Sequence, residues 1–336
     1  MREHVRNDSR VPRPPSLFPK RTMDRRRFLQ ASALAGGSVL GAATPPLRSA
    51  AAPLPPENQP ERFALDYAPS PGQFEAHAGS DLTDQIAFAA EQGFGAFEDN
   101  TLRDRSVRTQ RRMEDALRTH DLRMGVFVAH TIHWQEPSLT TGDAEYREQF
   151  LDEIQASVEI AGRVGATWMT VVPGVRHPQL DEGYQTANLV EVLREAAEIL
   201  EPHDLVMVLE PLNTRRDHPS QFLTHTAQAY QICRAVDSPA CKILYDVYHQ
   251  QITEGNLTLN LDQAWDQVAY IQVADHPGRT EPSTGEIDYR HVFAHLHEKN
   301  YDGIVGMEHG MTGSGKAGEQ AVLDAYATVD PAVSSR

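Results

Sequence analysis

Short apolar runs alternate with longer segments of helical spacing from about residue 62 onward. Leu205-Val-Met-Val-Leu209 is uninterrupted and bounded by His203-Asp204 and Glu210-Pro211, which suits a strand buried on both faces of a parallel sheet. Met124–Val128, Trp168–Val172, Lys242–Tyr245, Ala269–Val273 and Ile304–Met307 repeat the pattern, and Arg62–Tyr67 and Gly95–Glu98 repeat it more weakly. Between the runs, Leu151, Ile154, Val158 and Ala161 mark one apolar helix face. Leu189, Val192, Leu193, Ala196 and Leu200 mark another, with Glu191, Arg194, Glu195 and Glu198 left for water. Eight strand–helix alternations in about 270 residues predict an α/β protein, a single-domain (β/α)8 TIM barrel. No G-x-G-x-x-G loop follows the first strand, which lowers the case for an open dinucleotide-binding sheet.

The C-terminal ends of barrel strands form the active face, so polar residues there carry the chemical signal. Glu210, Asp246, Gln272 and Glu308 each end or nearly end a predicted strand, 36, 26 and 36 residues apart, about one βα unit per step. Taken singly, each could cap the next helix or turn. Taken together, four neighbouring strands would point oxygen-bearing side chains into one mouth. Three bare carboxylates would repel one another, and a cation holds them ionised and close. An oxygen-only donor set suits one divalent ion, Mg²⁺ or Mn²⁺, better than Zn²⁺.

The start of the chain reads differently. Met23-Asp-Arg-Arg-Arg-Phe-Leu-Gln30, an Ala/Gly-rich stretch to Ala43, and Ser49-Ala-Ala-Ala52 follow the basic, apolar and small-residue order of a twin-arginine export signal. Asp24 stands where such signals usually carry Ser or Thr. The predicted layout is a signal region over residues 1–52, with 1–22 a candidate for an untranslated stretch, then a Pro-rich linker over 53–61, the barrel over 62–330 and a tail over 331–336. The implied location is the periplasm or beyond, with the twin-arginine translocase as a partner during export.

Composition narrows the partners. With 31 Lys+Arg against 47 Asp+Glu, the formal charge of −16 disfavours a phosphate backbone, so a small-molecule substrate is expected and nucleic acid is not. No window reaches the roughly 20 apolar residues of a bilayer span, so no integral membrane segment is expected. Association of copies into a homo-oligomer is left open. Cys233 and Cys241 are too few for a disulfide scaffold and are read as buried free thiols.

Several motifs together are specific. Glu210-Pro-Leu-Asn213, Tyr245-Asp-Val-Tyr-His249 with the following QQITEGNL, Ile271-Gln-Val-Ala-Asp275, Pro277-Gly-Arg279 with Gly285-Glu286, and Tyr301-Asp-Gly303 through Glu308 closely resemble the hydroxypyruvate isomerase family. That family lies in the xylose isomerase-like barrel superfamily, beside the ketose 3-epimerases and endonuclease IV. The resemblance covers most of residues 62–329 and is strongest after Val206; Gly93–Glu98 resembles the family's second strand. It implies that Glu210, Asp246, Gln272 and Glu308 are metal ligands, with Glu210 and Glu308 also the acid/base pair. It implies that His249 binds substrate oxygens and that Arg279 and Glu286 lie in a substrate-facing loop. Thr280, Ser283 and His309 depart from the family pattern.

The implied reaction is isomerisation of a small α-hydroxy carbonyl compound through an enediolate, hydroxypyruvate to tartronate semialdehyde. His130, His133 and Trp134 follow the third run and are expected either to wall the pocket or to pack a loop, with His133 carried as a substrate contact. His218 reads as a helix-start residue. A ketose 3-epimerase is the nearest alternative, weakened by Gln272 where those enzymes carry His. An exported sugar- or hydroxy-acid-binding protein without turnover is the alternative from another class. A DNA-repair nuclease would need more His ligands and a basic face.

Overall fold

The computed structural model describes residues 62–334. The twin-arginine reading and the linker fall outside them. Eight strands follow in order: β1 (Asp66–Ala68), β2 (Ala96–Phe97), β3 (Arg123–Met124), β4 (Trp168–Val171), β5 (Val206–Leu209), β6 (Cys241–Asp246), β7 (Val268–Gln272) and β8 (Ile304–Gly306). All pair in parallel, in the order β1-β8-β7-β6-β5-β4 and as a separate β2-β3 pair. Two seams close the ring. At one, the Glu98 N–H donates to Pro69 O at 3.0 Å; at the other, Ala129 N–H donates to Thr170 O at 3.0 Å and Thr170 N–H to Phe127 O at 2.8 Å.

The helices are α1 (Glu75–Ala78), α2 (Leu82–Glu91), α3 (Val107–Thr119), α4 (Ala144–Val164), α5 (Glu182–Leu200), α6 (Thr226–Val236), α7 (Val247–Thr253), α8 (Leu257–Ala264), α9 (Tyr289–Glu298), α10 (Gly315–Val329) and α11 (Pro331–Ser334). The longest, α4, starts where the Asp143 carboxylate accepts the Glu145 N–H at 2.8 Å and ends at Gly165 in the left-handed region, φ +70°. It buries Ile154, Val158 and Ala161, while Leu151 is only half-buried. In α5 the predicted stripe is buried, and Glu191, Arg194 and Glu198 face water. No helix among the described residues is long and apolar enough to cross a membrane.

Two details differ from the reading of the sequence. The β3 ladder stops at Met124, short of the predicted Val128, because the Tyr270 hydroxyl reaches across the barrel and accepts the Val126 N–H at 3.3 Å; regular pairing returns only as a bridge from Val128 to Thr170. His218 does not start a helix. It lies in a turn, and α6 begins at Thr226. Cys233 on α6 and Cys241 on β6 are buried free thiols with sulfurs 3.9 Å apart, as the sequence reading expected.

Candidate active site

Inside the ring, Ala68, Ala96, Val126, Val208, Leu244, Tyr270 and Ile304 form a buried apolar cluster, with Trp168 packed against it. All eight strands or their direct extensions contribute. Successive side chains on a strand alternate between faces, so the residue two positions on points inward again, one layer nearer the C-terminal mouth. Five of those positions are Glu98, Glu210, Asp246, Gln272 and Gly306, and the other three are Ser70, Val128 and Thr170. The register agrees, since Asp246 pairs with Gln272 and Gln272 with Gly306 across β6, β7 and β8. Glu308 lies one inward step beyond Gly306. The apolar floor and the polar layer above it thus follow from strand periodicity alone.

Glu210, Asp246 and His249 each offer a ligand atom, all within 4.8 Å of one another. Asp246 serves two roles: its Oδ1 accepts the Tyr248 and His249 N–H groups at 2.7 and 3.2 Å, capping α7, while Oδ2 lies 3.6 Å from His249 Nε2. Burial, then Glu308 and Asp246, raises the Glu210 carboxyl well above the usual carboxylate range. Burial pushes Glu308 up to about 7, against the pull of the Arg279 guanidinium 3.3 Å away. Gln272 Oε1 and Glu308 Oε2 are buried with no hydrogen-bond partner. Crowded carboxylates that resist ionisation, beside orphaned oxygens, are the donor set a divalent cation satisfies, so the residues fit such an ion.

His249 is oriented from behind. Its Nδ1 accepts the Asn213 backbone N–H at 3.2 Å, and the Asn213 side-chain amide lies 2.6 Å from the same atom. The amide's orientation is set in turn, because Oδ1 accepts the Arg216 and Asp217 N–H groups and Nδ2 donates to Asp217 at 2.8 Å. A backbone N–H can only donate, so Nδ1 must be an acceptor. Burial lowers His249 to about 4, and the neutral ring therefore carries its proton on Nε2. That N–H faces the carboxylates, 3.9 Å from Glu210 Oε1, and Arg279 Nη2 lies 3.4 Å from the same nitrogen. Arg279 stands in the left-handed region, φ +52°, with its guanidinium 5.0 Å above the Tyr248 ring. Two donors converge where an anionic oxygen would be shared.

Other predicted residues lie elsewhere. Glu286 does not join the cluster: it is exposed, and its Oε1 is shared by His276 Nδ1 at 2.9 Å and Gln251 Nε2 at 3.1 Å. The buried Asp275 carboxylate draws its loop back instead, accepting the Thr284, Gly285 and Ile287 N–H groups. His133 is half-buried against Glu136 and Tyr146. His130 is structural: its Nε2 accepts the Val172 N–H at 3.2 Å. Trp134 stacks on His218 at 4.9 Å, and the His218 ring lies 5.3 Å from that of His249, so His218 helps wall the site. The sequence reading also missed Glu98 and Asn213. Glu98 carries the same signal as Glu210, a carboxylate ending an apolar run, but on a shorter run.

The profile described as "Xylose isomerase-like TIM barrel" matches residues 86–327. The chain is 36% identical over 162 residues to hydroxypyruvate isomerase of Escherichia coli (strain K12), a match covering 48% of this chain and 62% of that protein, under two thirds of its length. It is 30% identical over 249 residues to 2-oxo-tetronate isomerase of Cupriavidus necator, covering 74% of this chain and 92% of that protein. The crystal structure of an AP endonuclease, family 2, from Brucella melitensis superposes with a TM-score of 0.69 at 25% identity, over 79% of this chain and 99% of that one. With its closed ring of parallel strands and its polar layer at the C-terminal mouth, the chain belongs to the xylose isomerase-like TIM barrel family.

Proposed function

We propose that the protein is a metal-dependent isomerase of a small α-hydroxy carbonyl acid, converting hydroxypyruvate to tartronate semialdehyde. One observation supports the reading: Glu210, Asp246 and His249 offer ligand atoms within 4.8 Å of one another at the barrel mouth, and the Gln272 Oε1 and Glu308 Oε2 atoms are buried without a partner. Glu210, Asp246, Gln272 and Glu308 would hold one divalent ion, for which an all-oxygen set favours Mg²⁺ or Mn²⁺ over Zn²⁺. When bound, the ion supplies Lewis-acid stabilisation of negative charge on the substrate oxygens.

The residues of the chain do the rest. One of Glu210 and Glu308 takes a proton from the hydroxymethyl carbon, leaving an enediolate, and a proton returns to the former carbonyl carbon. The hydroxyl proton moves to the neighbouring oxygen, so the product is an isomer with no net gain or loss. Carboxyls raised towards neutrality are matched to this exchange, and each positioned acid or base supplies about 10²–10⁴-fold. His249 Nε2–H donates to a substrate oxygen, and Arg279 pairs with the substrate carboxylate. Names of the two relatives agree with this reaction type. Export through the twin-arginine pathway is part of the proposal and rests on residues 23–52 alone.

The test is a panel of α-hydroxy carbonyl compounds, hydroxypyruvate included, offered to metal-stripped protein and to protein reloaded with Mg²⁺ or Mn²⁺. Turnover of hydroxypyruvate only after reloading supports the proposal. Epimerisation of fructose or tagatose instead would make it a ketose 3-epimerase, and binding without any turnover would make it a binding protein.

A further inference from the structure

The Arg279 guanidinium reaches the site from a loop and not from a strand, so its place depends on what fixes that loop. Residues 273–288 join β7 to α9, and Arg279 stands within them in the left-handed region, φ +52°. A residue with a side chain keeps that conformation only where its surroundings over-determine it. Both of its backbone groups are bonded: its N–H donates to Asp275 O at 2.8 Å, and its carbonyl accepts the Gly310 N–H at 3.0 Å. Gly310 lies two residues beyond Glu308, in the loop between β8 and α10. The loop that carries Glu308 thus also holds the backbone of Arg279, whose Nη2 lies 3.3 Å from Glu308 Oε1.

One backbone hydrogen bond is a weak tie between two loops, and a stronger one lies beside it. Glu281, two residues after Arg279, is 2% exposed. Its Oε2 accepts the Thr312 N–H at 2.9 Å, and its Oε1 accepts the Thr312 hydroxyl. A buried carboxylate is costly unless donors meet its oxygens, and here one residue of the neighbouring loop meets both. The Glu281 carbonyl accepts the Thr284 hydroxyl at 2.6 Å, which closes the loop on itself. At the other end of the segment, Arg216 Nη1 donates to Pro277 O at 2.5 Å and ties it to the loop after β5. None of the described hydrogen bonds joins Glu281 to the carboxylate cluster or to His249, so chemistry at the mouth does not account for its burial.

We propose that Glu281 is a positioning residue for Arg279: it straps the loop after β7 to the loop after β8 and so holds the guanidinium over the site to receive a substrate carboxylate. Without the strap, Arg279 keeps its charge but loses its place, and its left-handed backbone is free to relax. The inference rests on the pairing of Arg279 with the substrate proposed above, and it adds the residue that makes that pairing ready before substrate arrives.

The experiment combines kinetics on hydroxypyruvate with hydrogen–deuterium exchange, both on full-length protein. Glu281→Ala is expected to raise KM by about 10-fold while kcat stays within about threefold, the pattern of lost substrate binding. Glu281→Gln should rescue KM, because the amide oxygen can accept the Thr312 N–H while the NH₂ group donates to the hydroxyl. In an Arg279→Gln background, Glu281→Ala should raise KM no further. Peptides covering residues 275–286 and 309–314 should exchange faster in Glu281→Ala than in wild type. Thermal unfolding checks that the variants fold. If Glu281→Ala does not, Thr312→Val, which removes only the hydroxyl, decides with a KM rise of about threefold. Wild-type KM in the folded variants overturns the inference, as does an equal rise with and without Arg279, or unchanged exchange in the two loops. Wild-type protein that turns over no hydroxypyruvate would instead remove the proposed substrate, and the exchange measurement then decides the strap by itself.

Discussion

His249 Nδ1 accepts the backbone N–H of Asn213 at 3.2 Å, and that contact decides what His249 can do at the mouth of the barrel. With Nδ1 occupied, the neutral ring has a proton, not a lone pair, on Nε2. His249 is close enough to Glu210 and Asp246 to look like a third ligand, yet in this tautomer it is a donor.

A His249→Gln variant should therefore keep Mn²⁺ affinity within about threefold while kcat/KM on the best substrate drops by about 10²-fold, roughly 2.7 kcal/mol of transition-state stabilisation. Calorimetry and steady-state kinetics on the same preparation separate the outcomes. Metal affinity falling in step with activity would make His249 a ligand.

Metal uptake should depend on pH in a definite direction. The Glu210 carboxyl is raised well above its ordinary range and Glu308 to about 7, so protons compete with the cation for both. Mn²⁺ affinity is expected to rise as pH increases from about 6 to 8. Calorimetry in buffers of different ionisation enthalpy should show protons released on binding. A flat pH profile contradicts the crowding described for these two carboxyls.

Glu308→Gln tests the proton-transfer pair. The amide keeps one oxygen for the cation but cannot accept a proton, so turnover should fall by at least about 10²-fold. Substrate should still protect the variant against thermal unfolding in the presence of Mn²⁺. Retention of more than a tenth of wild-type kcat would remove Glu308 from the pair.

Stability has its own pH dependence, away from the site. His130 is buried, accepts the Val172 N–H and is pushed down to about 4 by burial, below its ordinary 6.5. A depressed folded-state value means the neutral ring is favoured by folding. The stabilisation is complete above about pH 6.5 and is lost as pH falls towards 4, to the extent of roughly 3 kcal/mol. Urea unfolding at pH 7 and pH 5 should show this loss, and His130→Gln should reduce the difference while lowering stability at pH 7.

Cys233 and Cys241 should be silent to a thiol reagent in the native protein and both react after unfolding in denaturant, because each is buried. Detection of no thiol in the unfolded, unreduced protein would mean that the neighbouring sulfurs had joined.

The sequence by itself determined the barrel and much of its mouth. Uninterrupted apolar runs mean strands buried on both faces, and period-two alternation then turns Glu210, Asp246 and Gln272 inward at one level without any need of coordinates. The same pattern included Glu98, but its run is short, and only closure of the ring brings it against the Tyr270 hydroxyl and Gly306. Glu286 shows the converse: its motif is intact, yet the buried Asp275 gathers three loop N–H groups and leaves Glu286 in water beside His276. Trp134 and His218 come from loops 84 positions apart in the chain, and no local periodicity could pair them. Local spacing sets which way a strand residue points because backbone geometry alone enforces it. Which residues meet across the barrel, and which nitrogen of His249 keeps its proton, are set by neighbours distant in sequence and so belong to the tertiary structure.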